Sequence, residues 1–302
     1  MNILLTADEA AGAHAFRLLN DSHHEVKAVI TPEENFTIRS LATRTKTPVL
    51  NPSKLTDPNF ATWIRQNNID VLLNVHLLYI IHPAVIEAVS AGAFNLHPGP
   101  LPTYAGLNTP SWAIYNGEKE YGVTLHWLEK GIDTGHIAYR ESVLLNQQET
   151  GLTLSTKCAH SGMNLISKLL KNLSEDCAAI PRIPQNITGR RYFKKKEIPQ
   201  NGCITWAKTS TEIDAFVRAS NYSPFKSPWG FPKTTYKGSE VKISSVSLTD
   251  VSCCVKPGTI NFVRDEVVRV ATADNWLAIK TCGVNGSQVP AHTIFCDGDV
   301  LG

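Results

Sequence analysis

Asn95 and His97 stand two residues apart in residues 94–102, FNLHPGPLP, and prolines follow at 98, 100 and 102. In an extended strand, residues i and i+2 face the same side, so an amide and an imidazole are presented together. Each proline lacks an N–H and fixes φ, which ends the strand directly after them. Open α/β sheets bind their ligands at such strand tips. The next polar candidate is Asp133 in KGIDTG, a tight turn between Gly131 and Gly135 whose glycines let the backbone approach a ligand closely. An amide, an imidazole and a carboxylate suit acyl transfer to an amine. Together they offer a polar donor for the developing oxyanion and a base route for the amine proton. No obvious Ser or Cys nucleophile accompanies them, so direct transfer from an activated donor is expected rather than a covalent acyl-enzyme.

Each residue also has a purely structural reading. Asn95 and His97 could satisfy backbone groups at a strand end, and Asp133 alone is an ordinary turn former. Other chemistries lack their signatures. TADEAAGA after the first apolar run is no GxGxxG, and GxxxxGK[ST], HExxH and GxSxG do not occur. His126 and His136 flank the Asp133 turn, but no third ligand has suitable spacing, so no metal is expected.

The elements that must hold these residues follow from the pattern. Residues 2–6 and 25–30 read as strands, with a helix near 8–20 between them. FATWIRQNNIDVLLNV reads as a helix and then a buried strand at 70–75. A helix from Pro83 leads to a strand at 93–97. Strands alternating with helices imply a mostly parallel, Rossmann-like sheet covered on both faces. Residues 121–129 and 136–145 form two further strands joined by KGIDTG, and a long helix covers 152–173. Prolines at 181, 184 and 199 and the run RRYFKKKE give residues 174–203 a linker composition. STEIDAFVRA is a capped helix, and short alternating strands beyond it suggest a small β-barrel or sandwich.

Composition sets the frame. The 302 residues allow two domains, and the formal charge of +2 implies no strong pull toward nucleic acid or membrane. Seven cysteines without a CxxC, and no secretion-signal pattern in MNILLTADEA, agree with a cytoplasmic protein with reduced thiols.

Residues 94–137, FNLHPGPLPTYAGLNTPSWAIYNGEKEYGVTLHWLEKGIDTGHI, resemble the catalytic core of the 10-formyltetrahydrofolate-dependent formyltransferases, especially the methionyl-tRNA formyltransferase-like branch. The shared features are the Asn-x-His pair, the proline loop, the WAI helix, the GVTxH strand and the DTG turn. The similarity continues through RRYFKKKEI, ITW, EIDAFVRA, PWGFPKTTYKGSEVKI and PGTI. It implies a formyltransferase catalytic domain over 1–189, a linker over 190–204 and an OB-like β domain over 205–302. The implied catalytic triad is Asn95, His97 and Asp133. The first two would stabilise the tetrahedral intermediate, and Asp133 would position His97 and help move the proton. 10-Formyltetrahydrofolate is the implied donor, its pterin held by Leu77, Leu78, Tyr79, Ile80, Gly131 and Ile132. Tyr104, Asn108 and Trp112 are the implied acceptor-side residues. Pairing of two copies through the C-terminal domain stays open.

The acceptor is argued from charge. In methionyl-tRNA formyltransferases a basic loop after the second strand helps grip the acceptor stem. Residues 31–50 here, TPEENFTIRSLATRTKTPVL, carry Glu33 and Glu34 and no dense Lys/Arg cluster. Residues 190–302 hold fifteen Lys and Arg against ten Asp and Glu, a mild surplus. A small primary amine or hydroxylamine is therefore expected: a nucleotide-linked amino sugar, an amino acid or a carrier-tethered amine. Methionyl-tRNA, hydrolysis of 10-formyltetrahydrofolate and a non-catalytic folate-binding role are the alternatives. Tyr222, Phe225, Trp229 and Phe231 would stack on a base or sugar, or else form the core of the small domain.

Overall fold

The structure, a computed structural model, describes residues 1–263, 267–284 and 286–302. In chain order its elements are β1 (Asn2–Ala7), α1 (Glu9–Asn20), β2 (Glu25–Ile30), α2 (Phe36–Thr45), β3 (Val49–Leu50), α3 (Phe60–Gln66), β4 (Val71–Val75), α4 (Pro83–Ile86), β5 (Gly92–His97), β6 (Ala105–Gly106) and α5 (Thr109–Tyr115). There follow β7 (Glu120–Trp127), β8 (Ile137–Leu144), α6 (Gly151–Glu175), β9 (Tyr192–Phe193), α7 (Ser210–Ala219), β10 (Lys233–Tyr236), β11 (Ser239–Ser252), β12 (Ile260–Val263), β13 (Val267–Ala271), β14 (Asn275–Val284) and β15 (Ser287–Pro290).

The chain divides into two units. The first comprises Met1–Leu107, Glu120–Leu144 and Thr156–Phe193. Its seven-stranded sheet has the order β3-β2-β1-β4-β5-β7-β8. The first five strands are parallel, and β7 and β8 run antiparallel at one edge. The mostly parallel α/β core expected from the alternation is therefore present. The central strands NILLTA and VLLNV are buried on both faces, which is why they read as continuous apolar runs rather than alternating ones. Leu4, Ile30, Leu55, Ile64 and Leu72 form the heart of one layer. Burying one such side chain fully stabilises the fold by about 1.5–3 kcal/mol.

Three details differ from the sequence reading. Residues 31–50, read as a loop, contain α2, with Asn35 accepting from the Ile38 N–H as its cap and Lys46 in the left-handed region at its end. The two arginines of the helix kept its apolar face, Ile38 and Ala42, from standing out as a period. The helix from Pro83 is a single turn, because its cap, His82, and Glu87 enclose only four residues. The linker is not wholly irregular either, since β9 pairs with β6 in parallel.

The second unit comprises Asn108–Lys119, Leu145–Ser155 and Lys194–Gly302. Its antiparallel half-barrel sheet has the order β10-β11-β14-β13-β12, with β15 on β14, and matches the expected OB-like β domain. Helix α7 starts at a capping box in which Thr209 and Glu212 exchange hydrogen bonds. It buries Ile213 and Val217 against Ile243, Val270, Leu277 and Ile279. Trp229 is buried edge-on against Trp112 at 4.9 Å, whereas Phe225 is 68% exposed. The Tyr222 hydroxyl bonds that of Ser111 at 2.9 Å. Among the described residues no helix is long and apolar enough to cross a membrane.

Leu4 is completely buried, so Leu4→Ala removes apolar contacts that the parallel sheet cannot close over. A loss of about 2–5 kcal/mol is expected in a urea titration followed by circular dichroism.

Candidate active site

Strand register sets up the site. Thr6 pairs with Asn74, Asn74 with Asn95, and Asn95 with His126, so one residue from each of β1, β4, β5 and β7 lies in a straight row across the sheet. Their side chains join along that row. The Thr6 hydroxyl donates to Asn74 Oδ1 at 2.5 Å, and Asn74 Nδ2 donates to Asn95 Oδ1 at 2.7 Å. Asn95 Nδ2 then lies 3.0 Å from His126 Nε2 and 3.5 Å from Asp133 Oδ1. His126 Nδ1 faces the Trp127 carbonyl at 2.8 Å, and a carbonyl only accepts, so the neutral ring carries its proton on Nδ1 and accepts through Nε2.

His97 follows Asn95 by two residues and shares its face, as the spacing implied. It is 3% exposed. Its Nε2–H donates to the Tyr104 carbonyl at 2.6 Å, which leaves Nδ1 on the Asp133 side, 3.6 Å from Oδ2. The proline loop makes that carbonyl available. Thr124 Oγ1 donates to the Gly99 carbonyl at 2.8 Å, Tyr121 donates to the Pro98 carbonyl at 2.9 Å, and Arg140 donates to the Leu101 carbonyl at 2.7 Å. A Cβ at Gly99 would sit 2.6 Å from the Tyr104 carbonyl oxygen and 2.7 Å from His97 Nε2, so only glycine lets the loop close on the imidazole.

Asp133 reaches the site by an indirect route. The Leu128 N–H donates to the Ala93 carbonyl, so β7 ends beside the start of β5 rather than at its tip. The turn then folds back, and Asp133 meets Asn95, His97 and His126 with only 8% of its surface exposed. Gly106 N–H donates to its Oδ2 at 2.8 Å. Asp133 itself takes a φ of 52°, and groups from the linker hold that conformation. Gln185 Nε2 donates to the carbonyls of Asp133 and Gly135 at 3.1 and 2.7 Å, and Arg190 donates to the Ile132 carbonyl at 2.8 Å. Sequence reasoning missed Thr6, Asn74, Gln185 and Arg190. The hint was present in Thr6 and Asn74, polar residues inside largely apolar strands.

The electrostatics follow from burial. Burial pushes the His97 imidazole below its ordinary value, and the Asp133 charge and Tyr104 carbonyl only partly offset this. The ring is neutral at pH 7. Burial by itself would raise the Asp133 carboxyl. The His97 and His126 rings and the Gly106 N–H outweigh it and hold Asp133 well below the usual carboxylate range. The pair is thus a neutral base beside a fixed anion.

The remaining expected residues are spread differently. Leu77 is buried in the apolar core, whereas Leu78, Tyr79, Ile80 and Ile132 expose 69, 46, 73 and 51% of their surface. His76 faces Glu9 Oε2 at 3.2 Å. Gly131 lies in the turn, and Gly135 closes on the Trp127 carbonyl. The Tyr104 ring is buried, stacked on Phe193 at 5.4 Å, so its carbonyl is the part that meets His97. Asn108 and Trp112 belong to the second unit. Asn108 caps α5 in the left-handed region without a side-chain cap bond, and Trp112 lies in the buried aromatic group. His136 bonds Glu129 at 2.6 Å. Among the described residues no three His, Cys, Asp or Glu side chains gather to hold a metal ion.

Comparison with known proteins shows the family. A family model described as Formyl transferase matches residues 5–170, and one described as Formyl transferase, C-terminal domain, matches residues 197–297. The methionyl-tRNA formyltransferase of Acetivibrio thermocellus is 27% identical over 319 residues, covering 100% of both chains. The N-formyltransferase from Helicobacter canadensis, solved in complex with folinic acid and dTDP-3-aminofucose, shares the fold at a TM-score of 0.69 and 19% identity, over 92% of this chain and 97% of that one. A 4-N formyltransferase from Francisella tularensis shares it at 0.63 and 19% identity, over 75% and 90%. With the first family model spanning more than half of its length and the second covering its C-terminal part, the chain belongs to the formyl transferase family.

Proposed function

We propose that the chain transfers the formyl group of 10-formyltetrahydrofolate to a primary amine or hydroxylamine of a small-molecule acceptor, with a nucleotide-linked amino sugar the leading class. The observation that carries the reading is the neutral His97 held beside the buried Asp133 carboxylate, with the Asn95 amide nitrogen on the same face. In this reading the acceptor nitrogen attacks the formyl carbon and a new N–C bond forms. Asn95 Nδ2 turns the N–H that faces Asp133 at 3.5 Å toward the developing oxyanion and donates to it. His97 Nδ1 takes the amine proton, and Asp133 stabilises the imidazolium that results. Collapse of the intermediate breaks the bond to folate N10, and the proton passes from His97 to that leaving nitrogen.

Donor binding is assigned to the loop after β4 and the Asp133 turn. Leu78, Tyr79, Ile80 and Ile132 present exposed apolar surface for the pterin, with the backbone at Leu77 and Gly131 supplying polar contacts. The Helicobacter relative's complex with folinic acid and an amino-sugar nucleotide supports both the donor and the acceptor class. Helix α2 carries only Arg39 and Arg44 as basic residues, which argues against an RNA grip in residues 31–50. Full-length similarity to a methionyl-tRNA formyltransferase keeps tRNA as the second reading.

Two measurements test the reading. Purified protein is given 10-formyltetrahydrofolate with dTDP-linked amino sugars, amino acids and their hydroxylamines, or methionyl-tRNA, and products are identified by mass. A formylated small amine is expected. Formylated methionyl-tRNA would transfer the assignment to the second reading, and formate alone would make the chain a hydrolase. With the active acceptor, His97→Ala and Asp133→Ala should each lower kcat/KM by about 10²–10⁴-fold. The second measurement is the pH profile. The base form of His97 dominates above its pKa, which burial lowers, so the acidic limb of kcat/KM should fall below the ordinary imidazole value. Asp133 raises that pKa, so in Asp133→Asn the limb should move to still lower pH while the rate drops. A limb moving upward would remove His97 as the base.

A further inference from the structure

We propose that Thr6 and Asn74 are positioning residues that hold the Asn95 amide, by its oxygen, in the one orientation that His126 and Asp133 permit. The proposal rests on Asn95 acting as the oxyanion donor. An asparagine amide is nearly symmetric in shape, and its two ends differ only in hydrogen-bonding role: the nitrogen donates and the oxygen accepts. A donor at the developing oxyanion works only if the nitrogen points there. Something must therefore set the amide's orientation before substrate arrives.

The row of side chains does this by propagating one direction across four strands. In the ring's neutral form, His126 gives its Nδ1 proton to the Trp127 carbonyl, so its Nε2 is an acceptor. Asp133 Oδ1 is also an acceptor. Both face the same atom of Asn95, so that atom must be the nitrogen. Asn95 Oδ1 then faces Asn74, which must offer its own nitrogen at 2.7 Å. Asn74 Oδ1 in turn faces Thr6, whose hydroxyl supplies the terminating proton. Every member has one permitted orientation. Thr6 is completely buried and Asn74 is 8% exposed, so no solvent competes for these bonds. A buried hydroxyl and amide inside apolar strands are costly unless bonded, and here both side chains bond along the row.

Orientation can be read directly. Neutron diffraction from deuterium-exchanged crystals should place deuterons on Asn74 Nδ2 toward Asn95 and on Asn95 Nδ2 toward Asp133. The opposite polarity would overturn the proposal, whatever the turnover. Function is read with 10-formyltetrahydrofolate and hydroxylamine as the minimal amine. Asn74→Asp keeps the shape but, as a carboxylate, sets an acceptor against Asn95 Oδ1, so the amide loses its hold on that side. It should lower kcat by about 10²-fold, as for loss of one oxyanion donor, with KM for the folate within about threefold. Thr6→Val should cost about tenfold, while Thr6→Ser, which keeps the hydroxyl, should restore the rate.

The two ideas fail separately. If Asn95→Ala keeps its rate, the donor role of Asn95 is wrong. If Asn95→Ala loses it while Asn74→Asp and Thr6→Val run at the parental rate, only the positioning role is wrong. In an Asn95→Ala background, Asn74→Asp should cost nothing more, because the group it orients is gone. An additive loss there would mark Asn74 as a general structural residue, and equal rates for Thr6→Val and Thr6→Ser would do the same for Thr6.

Discussion

A carboxylate taken out of water costs several kcal/mol unless charge and hydrogen bonds replace its hydration. Asp133 is such a carboxylate, and much of the first unit is arranged around it. Gly106, Asn95 and the two histidines face its oxygens. Gly106 is held in place because β6 pairs with β9, a strand contributed by the linker far along the chain. The turn that carries Asp133 adopts a left-handed backbone at a non-glycine residue, a strain of order 1–3 kcal/mol. Gln185 and Arg190 hold it by bonding the turn's own carbonyls. The basic run that reads as a solvated linker therefore begins with an arginine that builds the site.

The same constraint explains the imidazole. His97 is buried with its tautomer fixed by the Tyr104 carbonyl, and burial keeps it neutral although an anion lies nearby. A neutral ring beside a carboxylate is poised to accept a proton and to be stabilised once it has done so. The proline loop is the rigid device that brings the Tyr104 carbonyl back onto the ring. Its prolines remove competing N–H groups, and side chains from β7 and β8 fasten it at Pro98, Gly99 and Leu101.

Family membership fixes the fold and the class of reaction, while the acceptor depends on surfaces that vary within one architecture. Helix α2 carries two arginines, and residues 190–302 hold a mild basic surplus that includes the run RRYFKKKE. A polyanion is held by many such contacts acting together, whereas a small acceptor needs few.

The sequence by itself determined the central elements and the three chemical groups. Apolar runs of strand length, helical periods between them and the i, i+2 spacing of Asn95 and His97 are local properties, and local sterics dictate their outcome. Only the tertiary structure decided how the groups meet. The sequence placed Asp133 on a turn but could not show that β7 runs antiparallel to β5 and that the turn folds back across the face. It showed Thr6 and Asn74 as polar residues in largely apolar strands, yet not that register lines them up with Asn95 and His126. Helix α2 was hidden because its apolar face is only two residues wide. The physical reason is the same in each case: register, strand direction and hydrogen-bond polarity are set between segments distant in the chain, and no single segment encodes its partner.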